Sequence, residues 1–136
     1  RLVTSSIMGD IAAAKTLYRE VDFAMQWQVA NSTSRTLIRG VIDLLYEDAQ
    51  GGWHILDYKT NNFSAHAEDS QILNPYEFQL GIYAHAVTQW IGVVPCELAL
   101  IALRPTVRRV ELPWNSELWN RLSSRIDAAV AEYRKR

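Results

Sequence analysis

The chain has 136 residues, a formal net charge of −1, and 49% hydrophobic residues. This length supports one compact domain and excludes two domains of ordinary size, while the near-neutral charge gives no evidence for nucleic-acid binding. The single cysteine, Cys96, excludes an intrachain disulfide, a zinc site built on cysteines and an iron–sulfur cluster.

The sequence contains neither a membrane-spanning segment nor a secretion signal. No stretch approaches the roughly 18 to 20 apolar residues of a membrane span, and no basic-then-apolar pattern stands at the N-terminus. We therefore expect a soluble, cytoplasmic protein. Because the first residue is Arg1 rather than Met, we also expect a domain excised from a longer chain.

The first half of the chain predicts one helix followed by strands. Ser5 or Ser6 is expected to cap a helix over residues 7–17. Alternating apolar and polar residues from 18 to 29 predict a half-buried strand. After turn residues at 31–34, the branched apolar residues of 37–46 predict a central strand, and Asp43 lies within it.

The second half adds two helices and three strands. A glycine-containing turn at 48–52 predicts a hairpin into a strand over 53–59. Residues 60–74 are predicted to form a loop with a helical turn near 65–71. The remaining elements are a helix over 75–90 with Pro75 at its first position, strands over 97–103 and 107–112, and a helix over 115–134. This order predicts one α/β domain, residues 1–136, with a central mixed sheet of about five strands flanked by helices.

Two carboxylates and a lysine fall on the strands of the predicted hairpin. Asp57 and Lys59 are two residues apart and therefore share a face, whereas Tyr58 points away. If Asp43 lies opposite them, two carboxylates converge, and a hard cation such as Mg²⁺ or Mn²⁺ would neutralise them. A divalent cation beside a lysine suits phosphodiester hydrolysis.

A structural interpretation competes with this one. Asp43 and Asp57 would then be solvent-facing residues at strand ends, and Lys59 an ordinary surface partner. Against it, Asp43 interrupts the apolar run 41–45, where an unpaired buried charge costs several kcal/mol. We therefore favour a functional site.

In these residues the chain resembles the RecB-like nucleases of the PD-(D/E)XK superfamily, and most of all the C-terminal nuclease domain of AddA-type helicase-nucleases. The resemblance covers most of the chain. Four segments in the same order carry it: Arg19-Glu20-Val21-Asp22-Phe23, Gly40-Val41-Ile42-Asp43-Leu44, Asp57-Tyr58-Lys59-Thr60 and Tyr76-Glu77-Phe78-Gln79-Leu80-Gly81-Ile82-Tyr83. It implies a restriction-endonuclease-like core.

The resemblance also implies roles for seven residues. These are metal ligation by Asp43, Asp57 and the carbonyl of Tyr58, catalysis by Lys59, an additional motif formed by Gln79 and Tyr83, and an assisting acidic position at Glu20. Independently of the family, Gln79 and Tyr83 are four residues apart and share one helix face. A helix–sheet packing seam remains the alternative for that pair, and an exposed strand glutamate is the alternative for Glu20.

Histidines separate two interpretations of the family resemblance. The family commonly carries a metal-binding histidine on an upstream helix, whereas the first histidine here is His54. We expect His54, His66 and His85 to be structural or surface groups. Without the upstream ligand, the chain is either a nuclease that is incomplete as given or a degenerate nuclease fold that serves as a DNA-binding or subunit-docking module.

The resemblance implies a Mg²⁺-dependent deoxyribonuclease, most simply an exonuclease, that acts in double-strand-break repair and recombination. Its implied partners are DNA, a helicase domain of the same chain and a partner subunit. The lone cysteine points to the branch without an iron–sulfur cluster. Basic residues at 104, 108, 109 and 134–136 either contact phosphate or form a solvated turn and a frayed terminus. A sugar or small-molecule hydrolase that uses Asp43 and Asp57 as acid and base is a third candidate.

Overall fold

A single mixed sheet organises the structure, a computed structural model that describes residues 2–135, with side chains from residue 7 onward. The elements are α1 (Leu2–Ala12), β1 (Thr16–Gln28), β2 (Arg35–Glu47), β3 (Trp53–Asn62), α2 (Asp69–Leu73), a 3-10 turn (Asn74–Tyr76), α3 (Glu77–Ile91), β4 (Glu97–Arg104), β5 (Arg108–Glu111) and α4 (Ser116–Arg134). The predicted α/β fold with a five-stranded mixed sheet is confirmed.

The strands lie in chain order across the sheet. β1, β2 and β3 pair antiparallel, β3 and β4 pair parallel, and β5 returns antiparallel to β4. Two parallel neighbours need a crossover longer than a hairpin, and α2 and α3 supply it. Among the described helices, none is long and apolar enough to cross a membrane.

Helices cover both faces of the sheet. The larger core packs α3 and α4 against one face, with Ile55, Leu80 and Leu122 fully buried. The smaller core packs Ile7 of α1 against Leu44 and other residues of the opposite face. The sheet is therefore the middle layer, and a polar residue in its centre must be satisfied by neighbouring protein groups or by a ligand.

The contact between α3 and α4 depends on a glycine. A Cβ at Gly81 would lie 2.7 Å from Cδ1 and 3.2 Å from Cβ of Leu122, so a larger residue would require Leu122 or the helix to shift. At the start of α3, Oε1 of Glu77 forms an ion pair with Nη1 of Arg121 in α4, at 3.0 Å. These contacts fix the helix that faces the candidate site.

Three predicted helix boundaries were wrong. The first helix ends at Ala12 rather than residue 17, because Thr16 and Leu17 pair with β2 as the start of β1. It also begins at Leu2, so Ser5 and Ser6 lie inside it and do not precede it as caps. Pro75 belongs to the 3-10 turn, and α3 begins two residues later.

His85 of α3 is buried in the core, as the structural interpretation of the histidines predicted. Its ring lies 3.7 Å from that of Trp119, and its Nε2 is 3.1 Å from Oγ of Ser123. Burial lowers the pKa of His85 to about 4. The folded protein therefore keeps this ring neutral at a pH where the unfolded chain protonates it.

We predict that His85 makes the protein less stable as the pH falls from 7 to 5. The unfolded state binds the proton near pH 6.5 and the folded state only near pH 4, so acidification favours unfolding by about 2 kcal/mol over this interval. In His85→Gln this part of the pH dependence should vanish in urea-unfolding titrations. His66→Gln, which alters an exposed loop residue, should behave as the unmodified chain, and equal pH slopes in all three proteins would contradict the assignment.

Candidate active site

The candidate site lies where β2 and β3 separate, a point that we call the strand fork. Their ladder ends at the pair Leu44–Leu56. One step further, the backbone N–H of Tyr58 donates to Oδ2 of Asp43 at 2.8 Å instead of to a β2 carbonyl. A strand residue points its N–H and C=O toward the same side, so the Tyr58 carbonyl also faces the gap between the strands.

Asp57 lies in this gap and is almost completely buried, with 3% of its surface exposed. Its pKa is raised to about 6, mainly by burial, while Lys59 opposes the rise and the nearby Asp43 carboxylate adds to it. Its Oδ2 atom is buried and accepts no hydrogen bond from the residues that the structure describes. Asp57 is thus a buried carboxylate next to a second carboxylate.

Lys59 is held by contacts from three directions. Its Nζ lies 3.0 Å from Oδ2 of Asp57, as an ion pair without hydrogen-bond alignment, and donates to Oε1 of Gln79 at 3.1 Å. The same ammonium lies 4.4 Å from the centre of the Tyr76 ring, a cation–π contact. Tyr76 had no predicted role, and its place just before the glutamine-bearing helix was the only available signal.

Gln79 and Tyr83 project from α3 toward the carboxylates. Burial raises the pKa of Tyr83 to about 12, and the charges of Asp57 and Asp43 add to the rise. The Tyr83 ring also packs edge-on against Phe23 of β1 at 5.7 Å. The α3 face therefore combines both predicted alternatives, since Gln79 contacts the site lysine and Tyr83 joins the packing seam beside the site.

Glu20 occupies the β1 position opposite Asp43. The β1–β2 register pairs Arg19 with Leu44 and Val21 with Ile42 but omits the intervening pair, and Glu20 has a φ of 49°. This left-handed conformation costs a residue with a side chain about 1 kcal/mol or more. Its side chain is exposed, so the structure brings Glu20 to the edge of the site.

The donors present fit a hard divalent cation. Asp57 offers a buried oxygen that, among the described residues, is balanced only by the Lys59 ammonium, and Asp43 carries a second carboxylate that perturbs it. The Tyr58 carbonyl faces the same gap as its N–H does. Carboxylate and carbonyl oxygens are the ligands that Mg²⁺ and Mn²⁺ favour. These three residues are the ones that could hold such an ion.

The other candidate residues lie elsewhere. Arg108 is bound to the Ala67 carbonyl and Asp69, and Arg109 to Glu97 and Asp10, so both guanidinium groups serve internal contacts. These internal partners differ from the solvated turn that was the predicted alternative to phosphate contact. Arg104 is exposed near the end of β4, residues 134 and 135 are exposed at the end of α4, and Arg136 lies outside the described residues.

The family model of the PD-(D/E)XK nuclease superfamily matches residues 3–134. The chain belongs to the PD-(D/E)XK nuclease superfamily. The match spans nearly the whole chain, so the strand fork, the carboxylates and the α3 face all fall within the superfamily domain. The predicted restriction-endonuclease-like core is therefore confirmed.

The chain spans only 7% to 10% of the length of two curated relatives that it matches. It is 30% identical over 92 residues to an ATP-dependent helicase/nuclease protein of the AddA type from Lysinibacillus sphaericus, covering 64% of the chain and 7% of the relative. It is 27% identical over 125 residues to the protein of the same name from Oceanobacillus iheyensis, covering 84% of the chain and 10% of the relative. The predicted resemblance to AddA-type helicase-nucleases is confirmed at modest identity.

A solved structure supports the fold. A protein provisionally named an exonuclease, from Eubacterium rectale, superposes with a TM-score of 0.62 at 11% identity, covering 93% of this chain and 46% of that one. At this identity the similarity shows the shared fold alone.

We predict that Asp57→Asn stabilises the metal-free chain at pH 7 by about 1 to 3 kcal/mol. The folded-state pKa of Asp57 is about 6, above the ordinary value of 3.8. Above pH 6 the carboxylate is ionised in both states, and its charge then opposes folding, whereas the neutral asparagine does not. The gain should grow from pH 4 to 6 and be absent below pH 4 in urea unfolding with EDTA. Asp22→Asn, at an exposed β1 position, is the control, and a loss of stability in Asp57→Asn at pH 7 would contradict the electrostatic account.

Proposed function

We propose that this domain is a metal-dependent deoxyribonuclease that hydrolyses phosphodiester bonds in double-strand-break repair and recombination. The observation that carries the proposal is the convergence of Asp43, Asp57 and Lys59 at the strand fork, with Gln79 holding the lysine. The superfamily and the helicase/nuclease relatives support the same activity.

Asp43, Asp57 and the Tyr58 carbonyl would hold Mg²⁺, with Mn²⁺ as a substitute. When bound, such an ion supplies Lewis-acid polarisation of the phosphate and a more acidic water molecule. Asp43 contributes before any substrate arrives, because its hydrogen bond to Tyr58 keeps the carboxylates and the carbonyl in one gap. The protein thus has its ligands positioned in advance.

Lys59 would act on the substrate. Its ammonium is tethered 3.0 Å from Asp57 and 3.1 Å from Gln79, so it holds a fixed positive charge beside the proposed metal ligands. A fixed charge of this kind stabilises the additional negative charge of the phosphorane-like transition state or orients the attacking water. Gln79 acts through Lys59 and is a positioning residue. We propose that Tyr83 forms one wall of the site and that Glu20 assists as an acidic residue at its edge.

The cellular setting follows from the relatives. The proposed partners are DNA, a helicase domain of the same polypeptide and a second subunit, because the matched relatives are named as subunits of ATP-dependent helicase/nucleases. We infer exonuclease action in the cytoplasm without an iron–sulfur cluster. The single cysteine does not supply the set of thiolates that ligates such a cluster.

A second candidate function is a degenerate nuclease fold that serves as a DNA-binding or subunit-docking module. The observation that favours it is that α1, the helix preceding β1, carries no histidine over Leu2–Ala12. The superfamily resemblance implies a histidine ligand on an upstream helix. The two candidates differ in whether Lys59 matters for function.

We predict that the chain binds Mn²⁺ in calorimetry and cleaves linear DNA in the same samples. Binding should be lost in Asp43→Asn/Asp57→Asn because both carboxylate ligands lose their charge. Lys59→Met should keep binding, since it removes a neighbouring cation, and slow cleavage by about 100-fold or more.

Lys15→Met is the matched control, because Lys15 is an exposed lysine whose ion pair with Glu47 is far longer, at 3.9 Å. It should cleave at the rate of the unmodified chain. Mn²⁺ binding that survives in the double variant would overturn the metal assignment. Binding without cleavage in the unmodified chain would support the degenerate fold instead.

We further predict that Gln79→Ala lowers the cleavage rate about tenfold and leaves Mn²⁺ affinity unchanged, because the lysine loses its tether while the ligands remain. Gln79→Glu, which retains an oxygen acceptor for Lys59, should recover most of the rate. A rate equal to that of the unmodified chain in Gln79→Ala would remove Gln79 from the mechanism.

A further inference from the structure

A second cluster of ligand atoms lies at the opposite end of β3. Oδ2 of Asp48, Nε2 of His54 and Sγ of Cys96 all lie within 4.8 Å of one another. His54 precedes Asp57 by three residues, which places it roughly 10 Å away along the strand and on the other face. This cluster is therefore separate from the candidate active site, and it has no part in the proposed nuclease mechanism.

The imidazole of His54 is oriented by a contact at Nδ1, the ring nitrogen that does not face the cluster. Its Nδ1 lies 2.7 Å from Oε1 of Glu97, and that carboxylate is fixed in turn by Nε of Arg109 at 3.0 Å. One face of the ring stacks on Tyr46 at 4.5 Å with an interplanar angle of 1°. A carboxylate bound to the far nitrogen is the arrangement that orients metal-ligating histidines.

Two backbone hydrogen bonds position the carboxylate of Asp48. Its Oδ1 accepts from the backbone N–H groups of Gln50 and Gly52, both at 2.9 Å, which leaves Oδ2 directed at His54 at 2.6 Å. A Cβ at Gly52 would lie 2.9 Å from Oδ2 of Asp48 and 2.9 Å from Sγ of Cys96. The glycine therefore leaves room for the two ligand atoms to approach each other.

We propose that Asp48, His54 and Cys96 form a zinc site that clamps the β2–β3 turn to the start of β4. Nitrogen, sulfur and oxygen donors in one set favour Zn²⁺ over Mg²⁺. One cysteine suffices, because the aspartate and the histidine supply the other two protein ligands. A single cysteine rules out only zinc sites that need several thiolates.

The distances suit this ion. The separation of Nε2 of His54 and Sγ of Cys96 is 3.5 Å, and tetrahedral zinc with Zn–N and Zn–S bonds of about 2.0 and 2.3 Å requires roughly the same separation. The Asp48–His54 contact must open by less than about 1 Å, within reach of a side-chain rotation. A cleft of about 660 Å³, lined in part by Cys96, Glu97 and Arg109, lies beside the cysteine ligand.

The exchange of zinc for protons leaves the site's charge unchanged. Both ring nitrogens of His54 contact carboxylate oxygens, which only accept, so the ring carries two protons in the metal-free protein. Zn²⁺ takes the place of the Nε2 proton and of the Cys96 thiol proton, and both protons pass to solvent. Asp48 and Glu97 therefore face the same net positive charge with zinc bound as without it.

The test uses Co²⁺ as a spectroscopic probe for Zn²⁺ in the Asp43→Asn/Asp57→Asn background, which removes the candidate nuclease ligands. We expect a thiolate-to-cobalt charge-transfer band that saturates at one equivalent and is bleached by Zn²⁺. Cys96→Ser should abolish the band, and His54→Gln should weaken Co²⁺ binding about tenfold or more. His66→Gln, at an exposed loop histidine, should leave it unchanged.

A second measurement covers the case in which a variant fails to fold. Cys96 is exposed, so it can be alkylated in the unmodified chain, and saturating Zn²⁺ should slow that alkylation about tenfold or more. The proposal is overturned by a missing charge-transfer band, by a band that persists in Cys96→Ser, or by alkylation that proceeds equally fast with and without Zn²⁺. None of these outcomes depends on nuclease activity.

Discussion

The hydrogen bond from the Tyr58 N–H to the Asp43 carboxylate is the contact on which the candidate active site depends. It satisfies a backbone donor that the β2–β3 ladder no longer reaches, so the strands can separate without leaving a buried orphan N–H. The separation creates a polar gap in the middle layer of the fold. The same bond fixes one of the two carboxylates that line the gap.

The remainder of the sheet makes this interruption tolerable. β1 continues to pair with β2 past the fork, and β3 continues to pair with β4 as far as Lys59 and beyond, so each separated strand keeps one partner. α3 covers the gap and brings Gln79 to the lysine, and the close approach at Gly81 fixes α3 against α4. The helical layer therefore positions the site as much as the strands do.

Much of this arrangement could be predicted from the sequence because it follows from periodicity. The two-residue spacing of Asp57 and Lys59 placed them on one strand face, and the four-residue spacing of Gln79 and Tyr83 placed them on one helix face. Spacing did not show that Lys59 would rest on Tyr76, because that contact joins separate elements. Nor did it show that Thr16 and Leu17 would join β1, because strand pairing overrode the local helical pattern.

The left-handed conformation of Glu20 was also beyond the reach of the sequence. A glutamate has no local preference for positive φ, so the conformation must be imposed by the surrounding ladder, which breaks opposite Asp43. Likewise, Arg108 and Arg109 gave a basic pattern in the sequence, whereas their acidic partners come from distant segments. Features made by long-range pairing were the ones that composition and spacing left open.

Two buried carboxylates of the sheet, Glu97 at the start of β4 and Asp57 in β3, are in contrasting electrostatic situations. Glu97, with 8% of its surface exposed, has burial acting to raise its pKa, yet hydrogen bonds from His54, Glu111 and Arg109 lower it to about 2. Asp57 is buried to a similar extent at 3% exposure, but burial together with the Asp43 carboxylate raises its pKa to about 6 against the opposing effect of the single Lys59. The same sheet can therefore supply enough positive charge for a buried acid. The shortage of positive charge beside Asp43 and Asp57 is local, and a bound divalent cation would supply the missing charge.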